Sequence, residues 1–146
     1  MNRYERKKNI NLALQAFAEY LSQYKPQNVD PLLIIAGGYD QRVLENVEHH
    51  LELVALANKL GISKQVCFLR SITNDQRLLI LKTTSVLLYT PENEHFGIVP
   101  VEAMHLGCIV IACNSGGPLE SVHDRHTGYL LPPTPALWAG KIDSII

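Results

Sequence analysis

Three uninterrupted apolar runs, each the length of one strand and each followed within a few residues by glycine or proline, constrain this chain more than any other feature. They are Leu32-Leu33-Ile34-Ile35-Ala36 before Gly37-Gly38, Val86-Leu87-Leu88-Tyr89 before Pro91, and Cys108-Ile109-Val110-Ile111-Ala112 before Gly116-Gly117-Pro118. A strand wetted on one face alternates polar and apolar residues. One without alternation is covered on both faces, as in a parallel sheet flanked by helices. Helical patterns separate the runs. Ile10 to Tyr24 reads as an amphipathic helix with Leu14, Phe17, Leu21 and Tyr24 on one stripe, and Pro26 and Pro31 bound the loop after it. Val43 to Leu60 is a second helix stopped by Gly61, and Asn74 caps a third that reaches about Lys82. Val66-Cys67-Phe68-Leu69 and Gly128-Tyr129-Leu130-Leu131 are short strands, Gly116-Gly117-Pro118 opens a short helix through Val122, and Pro135 starts a last helix. The alternation predicts an α/β fold, a parallel sheet with helices on both faces.

The 146 residues are enough for one domain with a real core, and no repeat, low-complexity segment or linker divides residues 1–146. A net charge of −1 and a pI near 6.6 supply no bulk attraction to nucleic acid or to an anionic membrane, so no nucleic-acid partner is expected. No apolar stretch reaches the roughly 20 residues of a membrane span, and the first residues lack the apolar core of a signal peptide. Cys67, Cys108 and Cys113 lie in or beside strand-like runs without motif spacing, which points to buried thiols in a reducing compartment rather than a disulfide. The charged segment before Ile10 stands where a βαβ fold would place a strand. The expectation is therefore a chain cut at both ends and lacking its first strand. In a doubly wound sheet that strand is central, so its loss leaves unpaired edges and an apolar gap.

Chemistry concentrates around Glu94-His95-Phe96-Gly97-Ile98-Val99-Pro100-Val101-Glu102. The strand-like run Val86–Tyr89 leads in and a helix-like run follows. Glu94 thus sits on a loop at the C-terminal end of a strand, and Glu102 about one turn into the next helix. In an open α/β sheet that crevice binds ligands. The helix N-terminus offers free N–H groups to a phosphate, and a carboxylate one turn further in accepts the two hydrogen bonds of a ribose diol. The competing reading is that Glu102 only complements the helix dipole. With a strand upstream, Arg3 and Lys8 would point into the same crevice and flank a diphosphate; otherwise they belong to a solvated basic segment. His95 is either a substrate contact or a plain loop histidine. His49 and His50, adjacent on a helix, point about 100° apart and cannot share a metal, and His123 and His126 lack a third ligand nearby in sequence, so no metal site is expected. Ala36-Gly37-Gly38 falls short of a dinucleotide fingerprint, Ser115-Gly116-Gly117-Pro118 is not a nucleophile elbow, and Trp138 reads as a packing anchor.

Taken together, Arg3-x4-Lys8 before a helix, Glu94-x-Phe96-Gly97-x4-Glu102 and Gly116-Gly117-x2-Glu120 resemble the C-terminal half of retaining GT-B glycosyltransferases of the family 4 type. Within that group, Asn2 to Asn9 and Thr90 to Pro100 are similar to the mannosyltransferases of dolichol-linked oligosaccharide (N-glycan precursor) assembly. The resemblance implies a Rossmann-like sheet. It implies contacts from Arg3 and Lys8 to the donor diphosphate, Glu94 against the reacting sugar as nucleophile or electrostatic stabiliser, and Glu102 on the ribose. The backbone amides of Phe96, Gly97, Ile98 and Val99 would line sugar and phosphate, and Leu69, Arg70 and Ser71 would flank the base. Asn9 stands where many members carry glycine. The implied donor is GDP-mannose, with no cofactor and no divalent metal. The acceptor is a dolichol-linked oligosaccharide held by an N-terminal domain outside this chain, and the setting is the cytosolic face of the endoplasmic reticulum membrane. Membrane association would come from the absent half or from partners, and the chain by itself is expected to be inactive. Two other readings are a UDP-sugar donor and a non-catalytic binding module.

Overall fold

A computed structural model describes residues 1–27 and 30–146, so the loop expected between Pro26 and Pro31 lies partly outside the described residues. Strands form where the apolar runs predict them: β1 Leu33–Gly37, β2 Val66–Arg70, β3 Val86–Tyr89, β4 Ile109–Cys113 and β5 Gly128–Leu131. The helices are α1 Ile10–Tyr24, α2 Leu44–Lys59, α3 Asn74–Thr83, α4 Ile98–His105, α5 Pro118–Ser121 and α6 Pro135–Ile145. Single 3-10 turns at Arg6–Lys8 and Ser63–Gln65 are too short to leave a periodic signal. Gly61 and Gly107 stop α2 and α4 at φ of 72° and 84°, the left-handed region a side chain resists. The cap of α3 is Thr73, not Asn74. The Thr73 hydroxyl accepts from the Gln76 amide at 3.3 Å, and the Gln76 side chain accepts from the Thr73 amide at 2.9 Å.

Each of the strand pairings β1–β2, β3–β4 and β4–β5 is parallel, and helices cover both faces. The sheet is nevertheless in two pieces, β1-β2 and β3-β4-β5. Between β1 and β3 lies a mainly apolar slot of about 450 Å³, lined by residues such as Ile10, Phe17, Leu33, Leu81 and Val86.

Two cores follow from the alternation of side chains across the strands. Ile111 and Cys113 of β4 face the larger one, with Leu14, Phe17 and Tyr20 of α1, Leu53 of α2 and Trp138 of α6. Val110 and Ala112 face the other, with Leu87, Tyr89, Ala103 and Val122. The buried face of α1 is wider than one stripe. Ile10, Leu12, Ala13 and Ala16 are also buried, with α2 and α6 both packed against this helix, whereas Tyr24 at its end is 40% exposed. Trp138 is fully buried and donates its indole N–H to the Pro132 carbonyl at 2.8 Å. All three cysteines are free thiols, and burial pushes Cys108 up to about 11 and Cys113 up to about 12. No helix among the described residues is long and apolar enough to cross a membrane.

Candidate functional site

The site is assembled at the C-terminal ends of β1 and β3. Residues 2–4 run beside the end of β1: the Asn2 amide donates to the Ala36 carbonyl at 3.1 Å and the Tyr4 amide to that of Gly38 at 3.2 Å. Gly37 permits this approach, since a Cβ there would collide with the Asn2 carbonyl. Tyr4 is fully buried, its hydroxyl donating to the Ile35 carbonyl at 3.1 Å with the Leu69 carbonyl at 3.2 Å. It thereby fastens the segment across β1 and β2. The buried Asn46 amide donates to the Tyr4 carbonyl at 3.1 Å, while its Oδ1 accepts from the Asp40 amide at 3.0 Å. Arg3 and Lys8 therefore extend from a pinned backbone.

After the turn Arg6–Lys8, Asn9 adopts φ 48° and ψ 42°. That is the left-handed region favoured by glycine and, among the other residues, best tolerated by asparagine. The Lys8 carbonyl accepts from the buried Thr90 hydroxyl at 2.7 Å, which draws Lys8 to the end of β3. There its ammonium pairs with the Glu94 carboxylate, the two side chains being only 14% and 26% exposed. The Glu94 loop rests on the Gly116-Gly117 turn. The Gly117 amide donates to the Glu94 carbonyl at 2.7 Å, and a Cβ on Gly117 would run into the His95 carbonyl. Asn93, at φ 50°, donates its amide to Ser115 Oγ at 3.1 Å. Burial and the neighbouring Glu94 charge push the Tyr89 hydroxyl up to about 12.

A cleft of about 460 Å³ opens here, and the residues singled out in the sequence that line it include Arg3, Lys8, Glu94, His95, Phe96, Gly97 and Val99. The Ile98 side chain is 61% exposed and outside the lining, while its amide stands at the uncapped N-terminus of α4. Glu102 is not part of the lining either. It pairs with Arg77 of α3, which does line the cleft, so a ribose reaching Glu102 would have to part this ion pair. Ser71 borders the cleft, with its hydroxyl donating to the Tyr39 carbonyl at 2.8 Å, and the Arg70 guanidinium lies 4.8 Å from the Tyr39 ring centre. Glu5 moderates the positive charge, 3.7 Å from Arg3 and 3.2 Å from Lys7.

Four cationic side chains, Arg3, Lys7, Lys8 and Arg77, border the cleft against two carboxylates, Glu5 and Glu94. In a chain of net charge −1 this is a local excess suited to an anion with several negative oxygens. The uncapped start of α4 adds the N–H groups of Ile98 and Val99 beside it. Arg77, Tyr4 and Asn46 were not among the residues picked from the sequence. For Tyr4 the signal was a lone aromatic in a charged run; Arg77 and Asn46 carry no local pattern. Elsewhere, His49 is buried with Nδ1 3.1 Å from Glu52, and the His123 and His126 rings lie 4.5 Å apart.

The model of the family described as "Glycosyl transferases group 1" matches residues 1–146. The human alpha-1,3/1,6-mannosyltransferase ALG2 is 48% identical over 147 residues, an alignment that takes in 100% of this chain and 35% of the human one. The chain thus spans about a third of the length of the curated relatives it matches. Sucrose-phosphate synthase of Thermosynechococcus elongatus superposes with a TM-score of 0.86 at 26% identity, over 98% of this chain and 34% of that one. Anabaena HepE, solved in complex with UDP-glucose, gives 0.80 at 25% identity, over 96% and 36%. Matched along its whole length, the chain belongs to the glycosyl transferases group 1 family.

Proposed function

We propose that residues 1–146 form a single nucleotide-sugar-binding unit, the donor half of a retaining mannosyltransferase that uses GDP-mannose. The observation that carries the reading is the pinned cationic rim: Arg3 and Lys8 held at one end of a cleft that also contains Glu94 and the open N-terminus of α4. Fixed cations and N–H groups stabilise a diphosphate as it departs, in a place where their charge needs no reorganisation. Glu94 lies beside them, where the reacting sugar carbon of a bound donor would come to rest. Glu102, released from Arg77, takes the ribose hydroxyls. The acceptor is a lipid-linked oligosaccharide of the dolichol type, the reaction named for the human relative being mannosyl transfer. The setting is the cytosolic face of the endoplasmic reticulum membrane.

The chain alone is expected to bind donor but not to transfer the sugar. Transfer needs a second wall to exclude water and align the acceptor. A UDP-sugar donor is the second reading, favoured by the fold shared with Anabaena HepE, whose structure holds UDP-glucose. Calorimetric titration of the chain separates the two. GDP is expected to bind about tenfold or more tighter than UDP, a difference of roughly 1.4 kcal/mol. A preference for UDP overturns the choice of donor, and silence toward both overturns the donor-binding reading.

A further inference from the structure

Arg77 lies where two anionic groups would compete for one cation. Its backbone is fixed in the first turn of α3, just after the Thr73–Gln76 cap, and its amide donates to the Thr73 carbonyl at 2.9 Å. The loop before that cap brings Ser71 and Ile72 to the cleft, and Arg77 lines the cleft with them. From α4, Val99 lines it too, and Glu102 stands three residues further on, on the same side of the helix. Glu102 is nevertheless outside the lining. Its Oε2 atom is shut off from water, and the Arg77 guanidinium is paired with it. The two side chains are 30% and 33% exposed, so solvent screens the pair and the ordering of two long side chains offsets much of its attraction. A diphosphate carries more negative charge than a carboxylate and offers several oxygens to the guanidinium fork, which makes it the stronger partner. Lys8 stands in the same relation to Glu94, a cation of the cleft wall held by a carboxylate.

We propose, resting on the donor-binding reading above, that Arg77 exchanges partners when the donor binds, leaving Glu102 for the diphosphate, and so makes the cleft select a ligand that carries both a diphosphate and a ribose diol. The two halves of the exchange depend on each other. Arg77 moving to phosphate uncovers Glu102, which the diol then satisfies. A diol on Glu102 releases Arg77, which then meets the phosphate. A ligand with only one of these groups would leave one member of the parted pair without a counterpart, which is costly for a charged group. Such a ligand therefore binds with the pair intact and gains neither Arg77 nor Glu102. Arg77 is on this account a specificity-determining residue, distinct in role from Arg3 and Lys8, which meet any diphosphate.

The test titrates GDP and 2′,3′-dideoxy-GDP, which keeps base and diphosphate but lacks the diol, against the parent chain, Arg77→Gln, Glu102→Gln and the double variant. Arg77→Gln is expected to weaken GDP about tenfold and to leave dideoxy-GDP within about twofold of the parent, because only GDP draws the guanidinium to phosphate. Glu102→Gln is expected to tighten dideoxy-GDP roughly three- to tenfold, since Arg77 then reaches the phosphate with no ion pair to part, and that gain should vanish in the double variant. Arg77→Lys keeps the charge without the fork and should recover part of the GDP affinity. Thermal midpoints of all the variants are expected within about 4 °C of the parent, as for a partly exposed ion pair, which separates these effects from loss of fold. Equal weakening of both ligands by Arg77→Gln overturns the proposal, because Arg77 would then meet phosphate without any exchange. Tighter GDP binding by the same variant overturns it by making Arg77 a plain block over Glu102, and unchanged binding of both ligands by making the pair structural. A parent chain that does not bind GDP removes the donor-binding reading itself, whereas one that binds GDP without these differences removes the exchange alone.

Discussion

Lys8→Ala is expected to weaken GDP binding about 10- to 100-fold. A hydrogen bond to a charged group contributes roughly 1.5–3 kcal/mol, and each 1.4 kcal/mol is a factor of ten. The upper part of that range is anticipated because the Lys8 side chain is only 14% exposed, which limits screening by salt. Its backbone is also fixed at both ends, by its amide donating to the Glu5 carbonyl at 3.0 Å and by the Thr90 hydroxyl on its own carbonyl. A second effect adds to the first. Without Lys8 the Glu94 carboxylate loses its ion-pair partner and faces the incoming diphosphate as an uncompensated like charge. Glu94→Gln alone should therefore act in the opposite direction and tighten GDP binding severalfold, because the diphosphate no longer has to part the Lys8–Glu94 pair. The double variant should fall between the two single ones. Titration of the four proteins gives the coupling directly. A Lys8→Ala chain that binds GDP as well as its parent contradicts the assignment.

Trp138→Ala is expected to cost about 3–5 kcal/mol of stability, the range for truncating a large buried aromatic. Trp138 is fully buried in the same core as Leu14, Phe17 and Tyr20, and its N–H bond to the Pro132 carbonyl holds the chain entering α6. Domains of this kind have only about 5–15 kcal/mol in hand, so the variant should unfold at much lower urea or be partly unfolded in buffer. The damage reaches the cleft through α1, which packs on α6 and begins two residues after Lys8. A urea midpoint within a few tenths of a molar of the parent would show that α6 is not the anchor described.

Much of the fold was legible because buried parallel strands advertise themselves. Ile10–Tyr24 and Gly128–Leu131 coincide with their predicted bounds, and the other strands shift by a residue or so. The cap at Thr73 could have been read too, since Thr73-Asn74-Asp75-Gln76 carries the reciprocal capping pattern; the asparagine, itself a good cap residue, drew the assignment one position late. The division of the sheet followed from the absence of a strand pattern before α1. At the site, spacing alone placed Glu94 on a loop at a strand end and Glu102 one turn into α4. What spacing could not supply is which groups hold them. Arg77 is one arginine on a helix with a weak apolar pattern, and its pairing with Glu102 exists only once α3 and α4 are packed. The burial of Tyr4 likewise depends on carbonyls 31 and 65 residues away in sequence. The Gly116-Gly117 turn, plain in sequence, proves to be the floor beneath the Glu94 loop.

Determining the structure of the chain with GDP bound tests the central claim most directly. The diphosphate should lie between Arg3 and Lys8 over the start of α4, with the Lys8 ammonium turned from Glu94 to phosphate and the ribose hydroxyls on a Glu102 freed from Arg77. A nucleotide seated elsewhere, with the Lys8–Glu94 and Arg77–Glu102 pairs both intact, would contradict it.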